Sequence, residues 1–116
     1  MLFNRKPKIK TATLSCEISG MDHCTSVLRE VTKYGDYSGK ATLEPDDTFP
    51  DSVTIYVDDH VVGYVPRRSR KGVRLILNDI IKSEVEIKKS KDSDGTYFTG
   101  TLNMVIPADA VDKLRE

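Results

Sequence analysis

Apolar and polar residues alternate along several short stretches of the chain. The clearest is residues 12–18, where Ala12, Leu14, Cys16 and Ile18 occupy every second position. A period of two is typical of a half-buried strand. Residues 52–57 are rich in β-branched side chains and also favour a strand. The remaining strands that the pattern predicts are residues 41–43, 61–65 and 84–88 and a returning strand over 98–106.

Two stretches show helical spacing instead. The first follows Asp22, a candidate cap, has apolar positions at Val27, Leu28, Val31 and Tyr34, and is closed by Gly35. The second begins at Arg67, and its apolar positions are Val73, Leu75, Ile76, Ile80 and Ile81. Gly72 weakens this helix, and a strand over residues 73–77 remains an alternative. After Pro107 the pattern allows a short helix capped by Asp109 or a frayed tail.

These elements predict a mostly β fold. We expect a small OB/SH3-like barrel of about six short, mainly antiparallel strands with one or two short helices. Most connections are too short for parallel crossovers. A chain of 116 residues has room for one domain, so we assign residues 1–116 to a single domain. Its core spans about residues 10–106, between a basic N-terminal arm (1–9) and a short C-terminal tail (107–116).

The bulk composition predicts a cytoplasmic protein. No apolar run approaches the ~20 residues that span a bilayer, so we expect no membrane contact. The basic residues near the N-terminus are followed by no apolar stretch, which argues against a signal peptide. In a reducing compartment Cys16 and Cys24 are free thiols rather than a disulfide. Their spacing with His23 and His60 matches no zinc pattern, so we predict no metal site.

The sequence contains no pattern typical of an enzyme. There is no glycine-rich phosphate loop, no Gly-x-Ser-x-Gly elbow and no His-Glu-x-x-His helix. Cys24 beside His23 reads as a core thiol next to a surface imidazole, because neighbouring side chains seldom point the same way. We therefore predict a non-catalytic protein without a cofactor.

Charge is distributed unevenly along the chain. The formal net charge is zero, which argues against a strong general polyanion binder. Residues 41–66 contain six carboxylates and no Lys or Arg, whereas Arg67, Arg68, Arg70, Lys71 and Arg74 follow within eight residues. This cluster indicates either a local basic surface or a solvated helix face.

Residues 43–68 resemble the HIRAN domain. The family signature is an Arg-Glu-Pro-x-Asn-x-Tyr-Asp loop, an Ala-x-x-Val strand and a Gly-Tyr-Ile-Pro hairpin end that leads into a helix. Here Glu44-Pro45-Asp46-Asp47 matches the start of the loop, with Phe49 in the place of the tyrosine. Residues 52–55 match the strand, and Gly63-Tyr64-Val65-Pro66 matches the hairpin end. The other elements follow in family order over about residues 10–106.

The resemblance implies a small OB-related barrel that binds DNA, in particular the 3′ end of a single strand. Carried over to this chain, it places Asp47 and Phe49 of the loop, Tyr64 and Arg67 around that end. The sequence departs from the family in three places. Leu43 replaces an arginine, one residue is missing around Phe49-Pro50, and residues 21–23 lack the Arg and aromatic side chains found after the first strand in DNA-end binders.

Two functional hypotheses follow from these observations. The first is a nucleic-acid-binding module that recognises single-stranded DNA or its 3′ end by aromatic stacking and phosphate contacts. The alternative is a protein-interaction or accessory domain that kept the barrel and lost the DNA-end site. A helicase or nuclease is a candidate protein partner in either case. The candidate nucleic-acid-binding residues are Asp47, Phe49, Tyr56, Tyr64, Arg67, Arg68, Arg70 and Lys71.

Overall fold

The structure, a computed structural model, describes residues 10–115, so the predicted basic N-terminal arm (1–9) lies outside the described residues. The strands are β1 (Thr11–Glu17), β2 (Tyr37–Lys40), β3 (Thr42–Asp46), β4 (Ser52–Val57), β5 (His60–Tyr64), β6 (Lys82–Asp92) and β7 (Gly95–Pro107). The helices are α1 (Thr25–Val31) and α2 (Arg67–Ile76), and 3₁₀ helices cover Met21–His23, Leu77–Asp79 and Ala108–Arg115. The fold is mostly β, as the alternation predicts.

The larger sheet is antiparallel and has the order β1-β7-β6-β2. The alternation of β1 is confirmed, because Leu14 and Cys16 pack against the core while Thr13 and Ser15 are exposed. Leu14 lies opposite Met104 in the register of β1 and β7. One face of this sheet therefore covers the core.

The smaller sheet is also antiparallel, with the order β3-β4-β5. Its central strand β4 has the predicted bounds, and Val53 and Ile55 are fully buried. Asp58 and Asp59, both with positive φ, form the tight turn between β4 and β5. Two successive residues with positive φ suit the right-handed twist of a hairpin.

The two sheets are joined at two points. At one, Ala41 follows β2 directly, donates its N–H to the Ser83 carbonyl at 3.0 Å, and leads into β3. At the other, Ser19 and Tyr64 exchange two backbone hydrogen bonds of 2.8 Å each, which join the end of β1 to the end of β5. Ser19 therefore sits at the boundary between the sheets.

The core lies between the sheets and is closed by the helices. Its largest fully buried side chains are Leu28, Ile55, Ile76, Ile87, Leu102, Met104 and Ile106. Helix α2 packs on β4 and on the C-terminal 3₁₀ helix, in which Ala110 is buried. The tail after Pro107 is thus a short helix whose apolar side chains pack against the core.

Several details of the sequence-based prediction are wrong. Helix α1 ends at Val31, so Tyr34 lies outside it and is 94% exposed instead of facing the core. Asp22 lies within a 3₁₀ helix and provides no side-chain cap for α1. Leu75 and Ile81, two of the apolar positions predicted for the second helix, are exposed, and Ile81 lies beyond the end of α2.

No helix among residues 10–115 is long and apolar enough to cross a membrane.

Candidate nucleic-acid interface

The two arginines that begin α2 lie beside the junction of the two sheets. After β5, Val65 donates its N–H to the Val53 carbonyl at 3.0 Å, which keeps the chain paired until Pro66. Pro66 has no N–H to continue the ladder, and its carbonyl accepts hydrogen bonds from Ser69 and Arg70 in the first turn of α2. The change from strand to helix at Pro66 therefore fixes where Arg67 and Arg68 stand.

Arg67 and Arg68 line a cleft of about 480 Å³. Its other lining residues are Glu17, Ile18, Ser19 and Pro66. Neither guanidinium forms a salt bridge with any described side chain. We call this space the α2 cleft, and its two free cations make it suited to an anionic ligand.

The N-terminus of α2 adds to the positive character of the α2 cleft. The N-cap residue is Pro66, which supplies no side-chain hydrogen bond, and the first turn contains no acidic residue. The first N–H groups of a helix lack partners within it and carry partial positive charge. Backbone amides and guanidinium groups therefore meet at the same end of the helix.

Tyr64 is half-buried at the edge of this region. A Cβ built on Gly20 would come within 2.8 Å of Cδ2 in the Tyr64 ring, so the ring packs closely over the backbone of Gly20. Gly20 has φ of 70°, a left-handed conformation that favours glycine. Tyr64 thus holds the turn after β1 in place, and part of its ring remains accessible.

Tyr56 is one of the eight candidate nucleic-acid-binding residues. It lies in β4 opposite Thr42 and Val61, next to a register shift, and is half-buried. It does not line the α2 cleft.

Asp47 and Phe49 lie in the loop between β3 and β4. Both are exposed, Phe49 by 62%, and neither lines the α2 cleft. The neighbouring Asp46 organises the loop, because its Oδ1 accepts hydrogen bonds from the Thr48 hydroxyl at 2.6 Å and the Thr48 N–H at 2.9 Å. These bonds hold the pKa of Asp46 below its usual range.

The other predicted cations follow along α2. Arg70 is half-buried and Lys71 is exposed, and neither is among the residues that line the α2 cleft. Arg74, one turn later, donates from Nη1 to the Ser52 carbonyl at 3.2 Å, which fixes α2 to the start of β4. Of the eight predicted site residues, the structure brings Arg67 and Arg68 together in one cleft.

A second cleft, also of about 480 Å³, lies between the end of β1 and residues of β6 and β7. It shares Glu17 and Ile18 with the α2 cleft and extends to Lys88 and Phe98. Phe98 begins the returning strand that the sequence predicts over residues 98–106. It packs against the core from a half-buried position and also lines this second cleft.

Neither Lys88 nor this role of Phe98 could be predicted from the local pattern. The cleft exists because the Ile18 N–H pairs with the Gly100 carbonyl at 2.9 Å, which brings two segments distant in sequence together. The only local sequence signal for this cleft was that Phe98 is the first residue in the alternating apolar series of β7, farthest from its C-terminal end.

Carboxylates also line both clefts. Glu17 borders the two clefts, and Asp22 and Glu86 line the second. They reduce the attraction that either cleft exerts on a phosphate group.

The two cysteines are free thiols. Cys24 is buried and its pKa is raised by burial and by Asp22, while the neighbouring His23 is exposed. Burial also raises the pKa of Cys16, an effect that Arg68 partly offsets. Among the described residues, no group of three or more His, Cys, Asp or Glu side chains is placed to hold a metal ion.

No protein-family model, curated protein or solved structure matches this chain.

Proposed function

We propose that this chain is a non-catalytic module that binds single-stranded nucleic acid through the α2 cleft. The observation that carries the proposal is the meeting of two guanidinium groups, which form no salt bridge within residues 10–115, with the N-terminus of α2, which has no side-chain cap. Backbone N–H groups at a helix start and arginine side chains both bind phosphate. The resemblance of residues 43–68 to the HIRAN domain supports the same ligand and a preference for a strand's 3′ end.

The proposal includes a small OB-like barrel as the framework. The strand order and the two junctions between the sheets support it, because Ser19–Tyr64 and Ala41–Ser83 hydrogen bonds link the sheets at two separate places. Such a framework holds the end of β1 and the start of α2 at a fixed distance. The 3′ end of a nucleic-acid strand would then enter a preformed cleft.

Binding of this kind is electrostatic and therefore weakened by salt. For a single strand the logarithm of the binding constant falls with the logarithm of salt concentration by ~0.7 per phosphate neutralised. With Arg67 and Arg68 each neutralising one phosphate, these two side chains contribute a slope of about −1.4. Glu17 in the same cleft keeps the affinity modest.

Fluorescence anisotropy of a labelled single strand tests the proposal. Wild type is compared with the double variant Arg67→Gln/Arg68→Gln at about 50 and 200 mM salt, with free and blocked 3′ ends. We expect salt-sensitive binding that the variant weakens and that blocking the 3′ end reduces. The control is Lys33→Gln/Lys113→Gln, which removes the same charge from two lysines held in salt bridges elsewhere.

Equal binding by the two double variants contradicts the α2 cleft as the site. Salt-independent binding contradicts phosphate recognition altogether.

A protein-interaction or accessory domain is the second candidate function. It is favoured by one observation, that Asp47 and Phe49 do not line the α2 cleft although the family resemblance places them around the strand end. If wild type binds no single strand at low salt, this second function replaces the first. Affinity capture with purified candidate helicases and nucleases then identifies the partner.

A further inference from the structure

The long β6–β7 hairpin extends beyond both of its neighbours in the sheet. Strand β2 pairs with β6 only as far as Ile87, and β1 pairs with β7 as far as Thr101, followed by the Ile18–Gly100 hydrogen bond. Residues 88–99 therefore form a two-stranded ribbon that neither neighbouring strand pairs with. With five paired residues on each strand and ~3.3 Å per residue, this ribbon is about 16 Å long.

The ribbon has a basic surface. Lys88, Lys89 and Lys91 are exposed on its first strand, and none of them forms a salt bridge with a described side chain. Its two acidic residues, Asp92 and Asp94, are confined to the tip, where Asp92 Oδ1 accepts the Asp94 N–H at 2.8 Å. The cations thus line the length of the ribbon rather than its end.

An accessible aromatic ring accompanies the cations. Tyr97 is 46% exposed and lies opposite Ser90, on the same face as Lys88, whereas Lys89 and Lys91 lie on the other face of the ribbon. Aromatic side chains stack on nucleobases while nearby cations contact the backbone, a combination typical of proteins that bind single strands. The ribbon carries both groups over a span of several nucleotides.

The ribbon begins at the second cleft, which adjoins the α2 cleft. Lys88 lines the second cleft, which shares Glu17 and Ile18 with the α2 cleft. A single-stranded nucleic acid bound at Arg67 and Arg68 can therefore continue past Ile18 and reach Lys88 without leaving the protein surface.

We propose that the basic ribbon is a second binding segment for the same single strand, which it contacts several nucleotides away from the bound end. This inference rests on the proposed function. Tyr97 stacks on a base and Lys88 contacts a backbone phosphate on the same face, while Lys89 and Lys91 contact phosphates from the opposite face, around the edge of the ribbon. The consequence is that affinity depends on the length of the strand as well as on its end.

The test compares oligodeoxythymidylates of about four and about twelve nucleotides, two lengths within the range of about 4–16 nucleotides that an OB fold binds. The variant is Lys88→Gln/Lys89→Gln/Lys91→Gln. The control is Lys33→Gln/Lys82→Gln/Lys113→Gln, in which each lysine replaced is held in a salt bridge. Both variants lose three positive charges and reach a formal net charge of −3, so net charge alone cannot separate them.

We expect wild type and the control to bind the long strand more tightly than the short one. The ribbon variant keeps its affinity for the short strand and loses the gain with length. Loss of three phosphate contacts reduces the salt slope for the long strand by about 2. Between about 50 and 200 mM salt, the affinity of wild type then falls roughly 20-fold more than that of the ribbon variant.

Four outcomes overturn the inference. If wild type binds both strands equally, or if ribbon and control variants bind the long strand equally, the ribbon is not a binding segment while the α2 cleft remains one. If the ribbon variant self-associates during size-exclusion chromatography with unchanged affinity, the lysines serve only to prevent pairing at exposed strand edges. If wild type binds neither strand, the proposed function and the ribbon inference both fail.

Discussion

Adding a methyl group at Gly63 is the most direct way to disturb the junction of the two sheets. Gly63 precedes Tyr64, whose backbone is hydrogen-bonded to Ser19. A Cβ at Gly63 would collide with Cγ2 of Ile18 and would lie 2.8 Å from the Ser19 carbonyl oxygen. One of these contacts is to backbone, so a side-chain rotation alone does not relieve the crowding.

The expected cost of Gly63→Ala follows from these contacts. Overpacking of a filled site costs about 1–3 kcal/mol. Displacement of Ser19 also weakens the two hydrogen bonds with Tyr64, at about 1 kcal/mol each. Replacing glycine by alanine within a strand returns about 0.5–1 kcal/mol of backbone entropy. The net loss in the free energy of unfolding is about 2–4 kcal/mol.

Urea and thermal unfolding followed by circular dichroism measure this loss. At roughly 4 °C per kcal/mol for a domain of this size, the Tm of Gly63→Ala falls by about 8–16 °C. The matched control is Gly72→Ala in α2, where the new Cβ lies 3.3 Å from the flexible Leu114 side chain. Helix propensity favours alanine by about 1 kcal/mol there, so the control is neutral or stabilised.

A Gly63→Ala protein within about 0.5 kcal/mol of wild type refutes the reasoning, since surface-like substitutions fall in that range. It would mean that the contact between Ile18, Ser19 and Gly63 does not determine how the sheets meet.

Three further outcomes are expected. Glu17→Gln removes a carboxylate that borders both clefts, so we expect the affinity for single-stranded DNA, measured by anisotropy, to rise roughly two- to threefold at low salt. An unchanged affinity contradicts binding of the nucleic acid along the two clefts. Thr48→Val removes a hydrogen bond to Asp46 and raises the pKa of that carboxyl toward its usual value, as an NMR titration will show. The lowered pKa stabilises the fold above the carboxyl's unfolded-state pKa, and this stabilisation disappears as pH falls through the folded-state pKa. Because burial raises the pKa of Cys16 and Cys24, iodoacetamide at pH 8 modifies both more slowly in the native than in the urea-unfolded protein, a difference that mass spectrometry detects.

Local sequence patterns predicted most of the strands but not how the chain brings them together. The alternation in β1 and the β-branched run in β4 reflect which face of each strand is buried, and both strands formed as expected. Tyr34 was misplaced because helical spacing continues past Val31, whereas the helix itself ends there. Where a short helix ends depends on how it packs in the fold, and the spacing of apolar residues in the sequence does not determine this.

The same distinction applies to the candidate site. Charge clustering identified Arg67 and Arg68. Because Pro66 has no N–H to continue a strand, the sequence also indicated that the helix begins after it. The second cleft was missed because it depends on Ile18 meeting Gly100, a pairing set by the register of β1 with β7. The family resemblance placed Phe49 at the site, but the conformation of its loop does not bring it to the α2 cleft.

The central claim is that the α2 cleft binds single-stranded nucleic acid, and mapping by NMR tests it most directly. A short oligodeoxythymidylate is titrated into ¹⁵N-labelled protein while backbone amide shifts are followed. We predict that the largest changes fall on Ile18, Ser19, Arg67 and Arg68, and that they diminish as salt is raised. Changes centred elsewhere on the protein, or none at low salt, contradict the account.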